Sequence, residues 1–171
     1  MAAADAARAV AGLQELRRLT GDDDGAQRVA WTDTWIEARD WLRRELDGID
    51  GLTVETDEAG NTWASAPGEH DRFVIVGGHL DSVPNGGWLD GALNVLAGLE
   101  VLRAHAGEER PVGLKLVDWA DEEGARFGRS LMGSSACAGT LDPESVRGLT
   151  DRDGTALPDA LAAHGVTLDR V

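Results

Sequence analysis

Three short clusters in the chain carry side chains that can bind a metal ion and move a proton. The first is Gly77-Gly78-His79-Leu80-Asp81-Ser82-Val83-Pro84. His79 and Asp81 stand two residues apart, so on an extended segment they share one side. Such a pair suits an imidazole ligand with a carboxylate beside it that orients the ring or tunes the metal. The second is Asn85-Gly86-Gly87-Trp88-Leu89-Asp90-Gly91, a glycine-rich loop that delivers the carboxylate of Asp90. The third is Asp118-Trp119-Ala120-Asp121-Glu122-Glu123-Gly124-Ala125-Arg126-Phe127. Its adjacent glutamates, Glu122 and Glu123, can divide the work: one binds the metal, and the other acts as general base on water. One histidine with several carboxylates is a mixture that zinc or manganese accepts.

Each cluster also has a plainer reading. Asp90 could simply cap a helix, and the Asp121–Glu123 run could be a solvated turn in an acidic protein. The position of the clusters argues for chemistry. Phe73-Val74-Ile75-Val76 and Leu114-Lys115-Leu116-Val117 read as buried strands, the first as a central one. The first and third clusters follow directly on these runs. Functional groups in open α/β sheets gather past the carboxyl ends of strands. Asp90 falls at the start of a strong helix over 91–105, carried by Leu93, Leu96, Ala97, Leu99 and Leu102.

The remaining elements frame these loops. Val10, Leu13, Leu16 and Leu19 recur at helical spacing over 5–19. Trp31, Trp35, Ala38, Leu42 and Leu46 form one face of a second amphipathic helix, which Thr32 or Asp33 could cap and Gly48 could end. Residues 52–55 and 61–64 read as two strands around a Glu58-Ala59-Gly60-Asn61 turn. Beyond residue 140 the pattern weakens. Asp142-Pro143 could open a short helix, and 156–164 another. The order strand, loop, helix, strand implies an α/β fold with a mixed, largely parallel sheet and flanking helices.

The 171 residues hold 31 acids against 16 bases, for a net charge of -15. So acidic a surface repels phosphate backbones and anionic membranes, so neither nucleic acid nor a membrane is an expected partner. No apolar run is long enough to span a bilayer, and the first residues lack the basic and apolar regions of a signal peptide. The single cysteine, Cys137, forms no intrachain disulfide, and its small-residue surroundings suggest a closely packed short helix more than a nucleophile. A cytoplasmic protein is expected. His70, His105 and His164 lie in polar turns or near helix ends and read as surface or capping residues.

The segment from Gly78 to Gly91 resembles the first metal motif of the N-carbamoyl-amino-acid hydrolases, allantoate amidohydrolases and β-ureidopropionases, the hydantoinase/carbamoylase-type amidases. Asp121-Glu122-Glu123-Gly124-Ala125-Arg126-Phe127, followed by Gly133-Ser134, resembles their second. The resemblance runs from about residue 5 to the end. It implies that His79 binds one metal, Asp90 bridges two, Glu123 binds the second and Glu122 is the general base. Asp81 would orient His79 or tune its metal. It implies two zinc or manganese ions and a small-molecule ureido or amide substrate. The intact enzyme would be a hydrolase of carbon–nitrogen bonds other than peptide bonds in linear amides or amidines, and a homodimer when full length.

The family pattern also includes a third motif with a histidine ligand and a last histidine near the C-terminus, neither of which occurs here. Asn94 stands where the pattern has a small residue. Residues 1–171 are therefore expected to be the first half of a dinuclear metallo-aminopeptidase-like catalytic domain, with the dimerisation domain and C-terminal catalytic part absent. Such a chain alone is expected to be inactive and to self-associate. Two other readings stay open: a dinuclear aminopeptidase or deacylase, and a non-catalytic remnant serving as an interaction module. The ligand reading makes a geometric demand: the donor atoms of His79, Asp90 and Glu123 should lie within several ångströms of a common point.

Overall fold

The computed structural model describes residues 3–171 as a four-stranded mixed sheet with helices packed against it. Helix α1 (Ala6–Thr20) starts where the Asp5 carboxylate accepts the N–H groups of Ala7 and Arg8, and it carries Arg17 and Arg18 in its last turn. Both ends thus complement the helix dipole. Helix α2 (Asp33–Asp47) is capped by Thr32 and ends at Gly48. Trp31 lies outside it, in a left-handed conformation with φ 62°. The helical stripe expected from Trp31 onward therefore begins at Trp35.

Strands β1 (Thr53–Thr56) and β2 (Thr62–Ser65) form an antiparallel hairpin. Asp57 closes the turn, its carboxylate accepting from the backbone of Ala59 and Asn61. Strand β3 (Phe73–Gly78), helix α3 (Ala92–His105) and strand β4 (Gly113–Asp118) follow. The sheet order is β1-β2-β4-β3, with β3 and β4 parallel. The sheet is mixed as expected, but one of its three pairings is parallel and two are antiparallel. Helix α3 is buried along most of its length, so its apolar residues do not form a narrow stripe.

One expectation about the strands needs correction. The apolar run of β3 suggests a central strand, but β3 is at the sheet edge, with Phe73, Val74 and Ile75 each about half exposed. β4 is the inner strand, paired on both sides, so β3 alone of the two presents an open edge. An apolar run reports what a strand can bury, and does not report how many neighbours it has.

Side chains alternate across the sheet. Val54, Ala64, Leu114, Leu116 and Val76 face α1, α2 and α3 in the main core. A second core gathers Trp31, Trp35, Phe127, Met132, Val146, Leu157 and Leu161. It is built from α4 (Met132–Cys137), α5 (Pro143–Val146) and α6 (Leu157–Ala163), and Asp142 caps α5 as expected. Cys137 is exposed. The close packing expected there falls on Gly133, where a Cβ would stand 2.0 Å from Asn61 Oδ1. His164 follows α6 and lies beside Trp31 and Trp35. Among the described residues no helix is long and apolar enough to cross a membrane.

Candidate metal centre

The parallel pairing of β3 with β4 sets Gly78 opposite Asp118, so the loops that follow leave the sheet side by side. Two bonds stitch their starts together. Trp119 N–H donates to the Gly78 carbonyl at 2.8 Å, and Leu80 N–H donates to Asp118 Oδ1 at 2.8 Å. The approach requires Gly77, because a Cβ there would stand 1.9 Å from the Val117 carbonyl oxygen.

His79 is buried at the mouth of the first loop. Its Nδ1 lies 3.0 Å from the Asp81 carbonyl oxygen and 3.5 Å from Asp81 Oδ1. Two acceptors on that side place a proton on Nδ1 and leave Nε2 as the ring's outward atom. Nε2 is 3.6 Å from Glu122 Oε2. Burial opposes a charge on the ring, but the hydrogen bond and charge of Asp81, with help from Glu122, outweigh it and raise the His79 pKa to about 9. A cation binding at Nε2 would therefore displace a proton. The ring rests on Gly91, where a Cβ would meet the His79 carbonyl oxygen at 2.3 Å and Nε2 at 2.5 Å.

Asp81 joins the two loops. Its Oδ1 accepts the N–H of Glu122 at 3.2 Å, and its Oδ2 accepts the N–H of Glu123 at 3.0 Å. The same carboxylate thus orients the histidine and fixes the backbone of the glutamate pair. Burial raises the Glu123 pKa first, His79 opposes it, and the charges of Asp90, Asp81 and Glu122 add to the rise. These carboxylates crowd one region, the electrostatic setting that a divalent cation relieves. Asp90 is exposed and does not cap α3. The cap position belongs to Gly91, which has φ 62° and makes no side-chain bond. The capping alternative for Asp90 therefore falls away.

A buried polar layer lies beneath the loops, and of its members the sequence clusters include only Asp118 and Asp121. Asp118 is fully buried, with Oδ2 3.0 Å from Arg39 Nε, yet burial pushes its pKa up to about 6. Asp121 is held by a hydrogen bond from Trp31 Nε1 at 2.9 Å, and burial raises its pKa to about 7 despite that bond. Asn61 accepts the Ala120 N–H and donates to the Gly133 carbonyl, fixing the chain just ahead of the glutamates. Arg28 is also fully buried and donates to the Leu80 carbonyl. The placement of Asp118 at a strand end was a usable signal. A lone arginine, asparagine or tryptophan in a loop carries none.

Backbone strain collects around the same loops. The non-glycine residues with positive φ among the described residues are Trp31, Asn85, Asp121 and Leu131. Asn85 is in the first loop, Asp121 precedes Glu122, and Leu131 donates its N–H to the Glu122 carbonyl at 2.7 Å. Strained residues persist where surrounding bonds hold them, and they tend to gather at functional sites.

The donors suit a divalent cation in kind: an imidazole with its proton turned away, and carboxylates that repel one another. Their spacing does not close on one point, since among the described residues no three His, Cys, Asp or Glu side chains form a group able to hold a metal. His79 and Glu122 meet, and Glu123 is near enough to feel both His79 and Asp90. Asp90 and Glu123 make no side-chain hydrogen bonds among the described residues.

Comparison with known proteins matches this arrangement. The sequence profile of peptidase family M28 matches residues 61–160. The chain is 38% identical over 151 residues to an N-carbamoyl-L-amino acid amidohydrolase of Geobacillus stearothermophilus, covering 86% of this chain and 36% of that protein. It is 32% identical over 149 residues to the allantoate amidohydrolase of Escherichia coli, covering 84% of this chain and 36% of that protein. A crystal structure of a hydantoinase/carbamoylase family amidase from Burkholderia ambifaria superposes with a TM-score of 0.86 at 35% identity, over 95% of this chain and 41% of that one. The chain thus spans little more than a third of the length of these curated relatives.

Proposed function

The chain belongs to peptidase family M28, and from that premise we propose that it carries the His79 and Glu122–Glu123 part of a metal-dependent amidohydrolase site. The substrate class is a small acid bearing a carbamoyl group, such as an N-carbamoyl amino acid or allantoate. The observation that carries the proposal is the double role of Asp81: one carboxylate faces His79 and holds the backbone of both glutamates.

His79, Asp90 and Glu123 would hold the metal, zinc or manganese. When bound, such ions supply positive charge that polarises the scissile carbonyl and stabilises the developing oxyanion. The chain's own part is proton transfer. Glu122, partly exposed beside His79, takes a proton from the attacking water as its oxygen bonds to the carbamoyl carbon. It then passes that proton to the leaving nitrogen as the C–N bond breaks. The carbamoyl group ends as ammonia and carbon dioxide, and the remainder as an amine or amino acid.

The match to a peptidase family favours one second reading, a dinuclear aminopeptidase or deacylase acting on an amide bond. The two separate by product. The intact protein, supplied with zinc or manganese, is expected to release ammonia from N-carbamoyl-L-amino acids or allantoate. Release of free amino acids from peptides, with no ammonia from ureido substrates, would replace the first reading by the second.

A further inference from the structure

We propose that Arg28 is a positioning residue for the metal centre, holding the Leu80–Ser82 backbone and the Asp81 carboxylate in register with the glutamate pair. This rests on the metal-site reading above. Arg28 lies in the segment between α1 and α2, far from the site in sequence, and its relative exposure is 0%. Its backbone pairs with the first loop: Arg28 N–H donates to Ser82 Oγ at 3.0 Å, and Ser82 N–H donates to the Arg28 carbonyl at 2.9 Å. Its Nε donates to the Leu80 carbonyl at 2.6 Å. The pairing continues outward, where Ala26 and Gly86 exchange backbone bonds of 2.9 and 3.1 Å. The loop that presents His79 is thus laid along this segment like a second strand.

A guanidinium here is an unexpected choice on stability grounds. Among the described residues its Nη1 has one long bond, 3.4 Å to Thr20 Oγ1, and its Nη2 has no partner. Burying a cation is expensive, and an apolar residue of similar size commonly serves stability as well or better. What the cation does provide is a charge opposite Asp81 and Asp118, both buried and both acting on it. Asp81 must stay in place to face His79 and accept from Glu122 and Glu123. Arg28 supplies the balancing charge and, through Leu80 and Ser82, grips the residues on either side of Asp81. Arg103 serves as the contrast, because it sits in the last turn of α3 and bonds to Glu45 and Glu100, away from the loops that carry His79 and the glutamates.

The test measures zinc affinity of the intact protein by competition with a chromophoric chelator, with the thermal midpoint of the metal-free form alongside. Arg28→Met is expected to weaken zinc by about ten- to a hundredfold, the usual effect of losing a residue that orients a ligand. Arg28→Lys keeps the charge and is expected to recover most of that loss. Arg103→Met is expected to lower the thermal midpoint while keeping zinc affinity within about threefold of wild type, below that usual range. Should Arg28→Met not yield folded protein, Ser82→Ala carries the test. It removes the hydroxyl that accepts from Arg28 and should weaken zinc severalfold.

Unchanged affinity in Arg28→Met or in the Ser82→Ala substitute, equal losses in the Arg28 and Arg103 variants, or no recovery with lysine would each overturn the inference. His79→Ala separates the two levels. If it loses zinc while Arg28→Met does not, the metal site stands and the positioning role falls. If wild type binds no zinc, or His79→Ala binds it fully, the metal-site reading fails and this inference with it.

Discussion

At the residue scale, the division of labour between Glu122 and Glu123 is the sharpest chemical assertion. Glu122 Oε2 faces His79 Nε2, and Glu123 responds to Asp90 and the surrounding carboxylates. In the intact enzyme, Glu122→Gln should retain metal and lose turnover by about 100- to 10,000-fold, the range for removing a general base. Glu123→Gln should lower metal content. Metal analysis of the two purified variants checks this, and equal metal loss in both would mean that the base has been misassigned. A second residue-scale prediction concerns Glu100, remote from the site. Burial pushes its carboxyl up, but hydrogen bonds from Arg8 and Arg103 outweigh burial and pull it down from 4.5 to about 2. A depressed carboxylate stabilises the fold above its unfolded value, and that stability is lost as pH falls through the folded value. Glu100→Gln should therefore be less stable than wild type near neutral pH, by up to roughly 3 kcal/mol. Denaturant unfolding should show the gap closing as pH falls from 4.5 towards 2. A gap of constant size would contradict the role given to these ion pairs.

At the scale of elements, the site depends on how α3 begins. Its first turn has no side-chain cap, and Gly91 both adopts φ 62° and lets the His79 ring lie against the backbone. Gly91→Ala should cost about 1–3 kcal/mol for the sparsely populated positive-φ backbone alone. It should also displace the ring, since the new methyl would fall 2.5 Å from Nε2. Gly107→Ala, just past the far end of the same helix, meets nothing within 4 Å and should change neither stability nor metal binding appreciably. Thermal melts and metal titration of the two variants test the contrast. Wild-type metal affinity in Gly91→Ala would show that the ring has room to move.

At the scale of the whole molecule, two tendencies oppose each other. The net charge of -15 keeps copies apart, and the open β3 edge with its half-exposed Phe73, Val74 and Ile75 brings them together. Salt screens the first and leaves the second. The 171-residue chain should therefore self-associate increasingly as ionic strength rises, and Ile75→Lys, which places a charge on that edge, should shift it towards monomer. Sedimentation velocity at low and physiological salt measures both effects. A wild-type monomer at every salt concentration would mean that this edge is not adhesive.

Neighbours along the chain were enough to read the local pieces: α2 and α3 from their apolar spacing, the strands from their short runs, and His79, Asp81, Asp90, Glu122 and Glu123 as candidates from residue type and position near the ends of those strands. These are properties of neighbours along the chain, and periodicity and motif record them. The tertiary structure alone decided that β3 is an edge strand, that Gly91 and not Asp90 begins α3, and that Asp81 clasps the glutamate backbone. It alone revealed Arg28, Arg39 and Asn61 beneath the loops. The clasp and this buried layer are contacts between residues distant in the chain, where a buried charge or amide must find its partner across the fold. No local pattern records such a pairing, because either partner alone reads as an ordinary loop or surface residue.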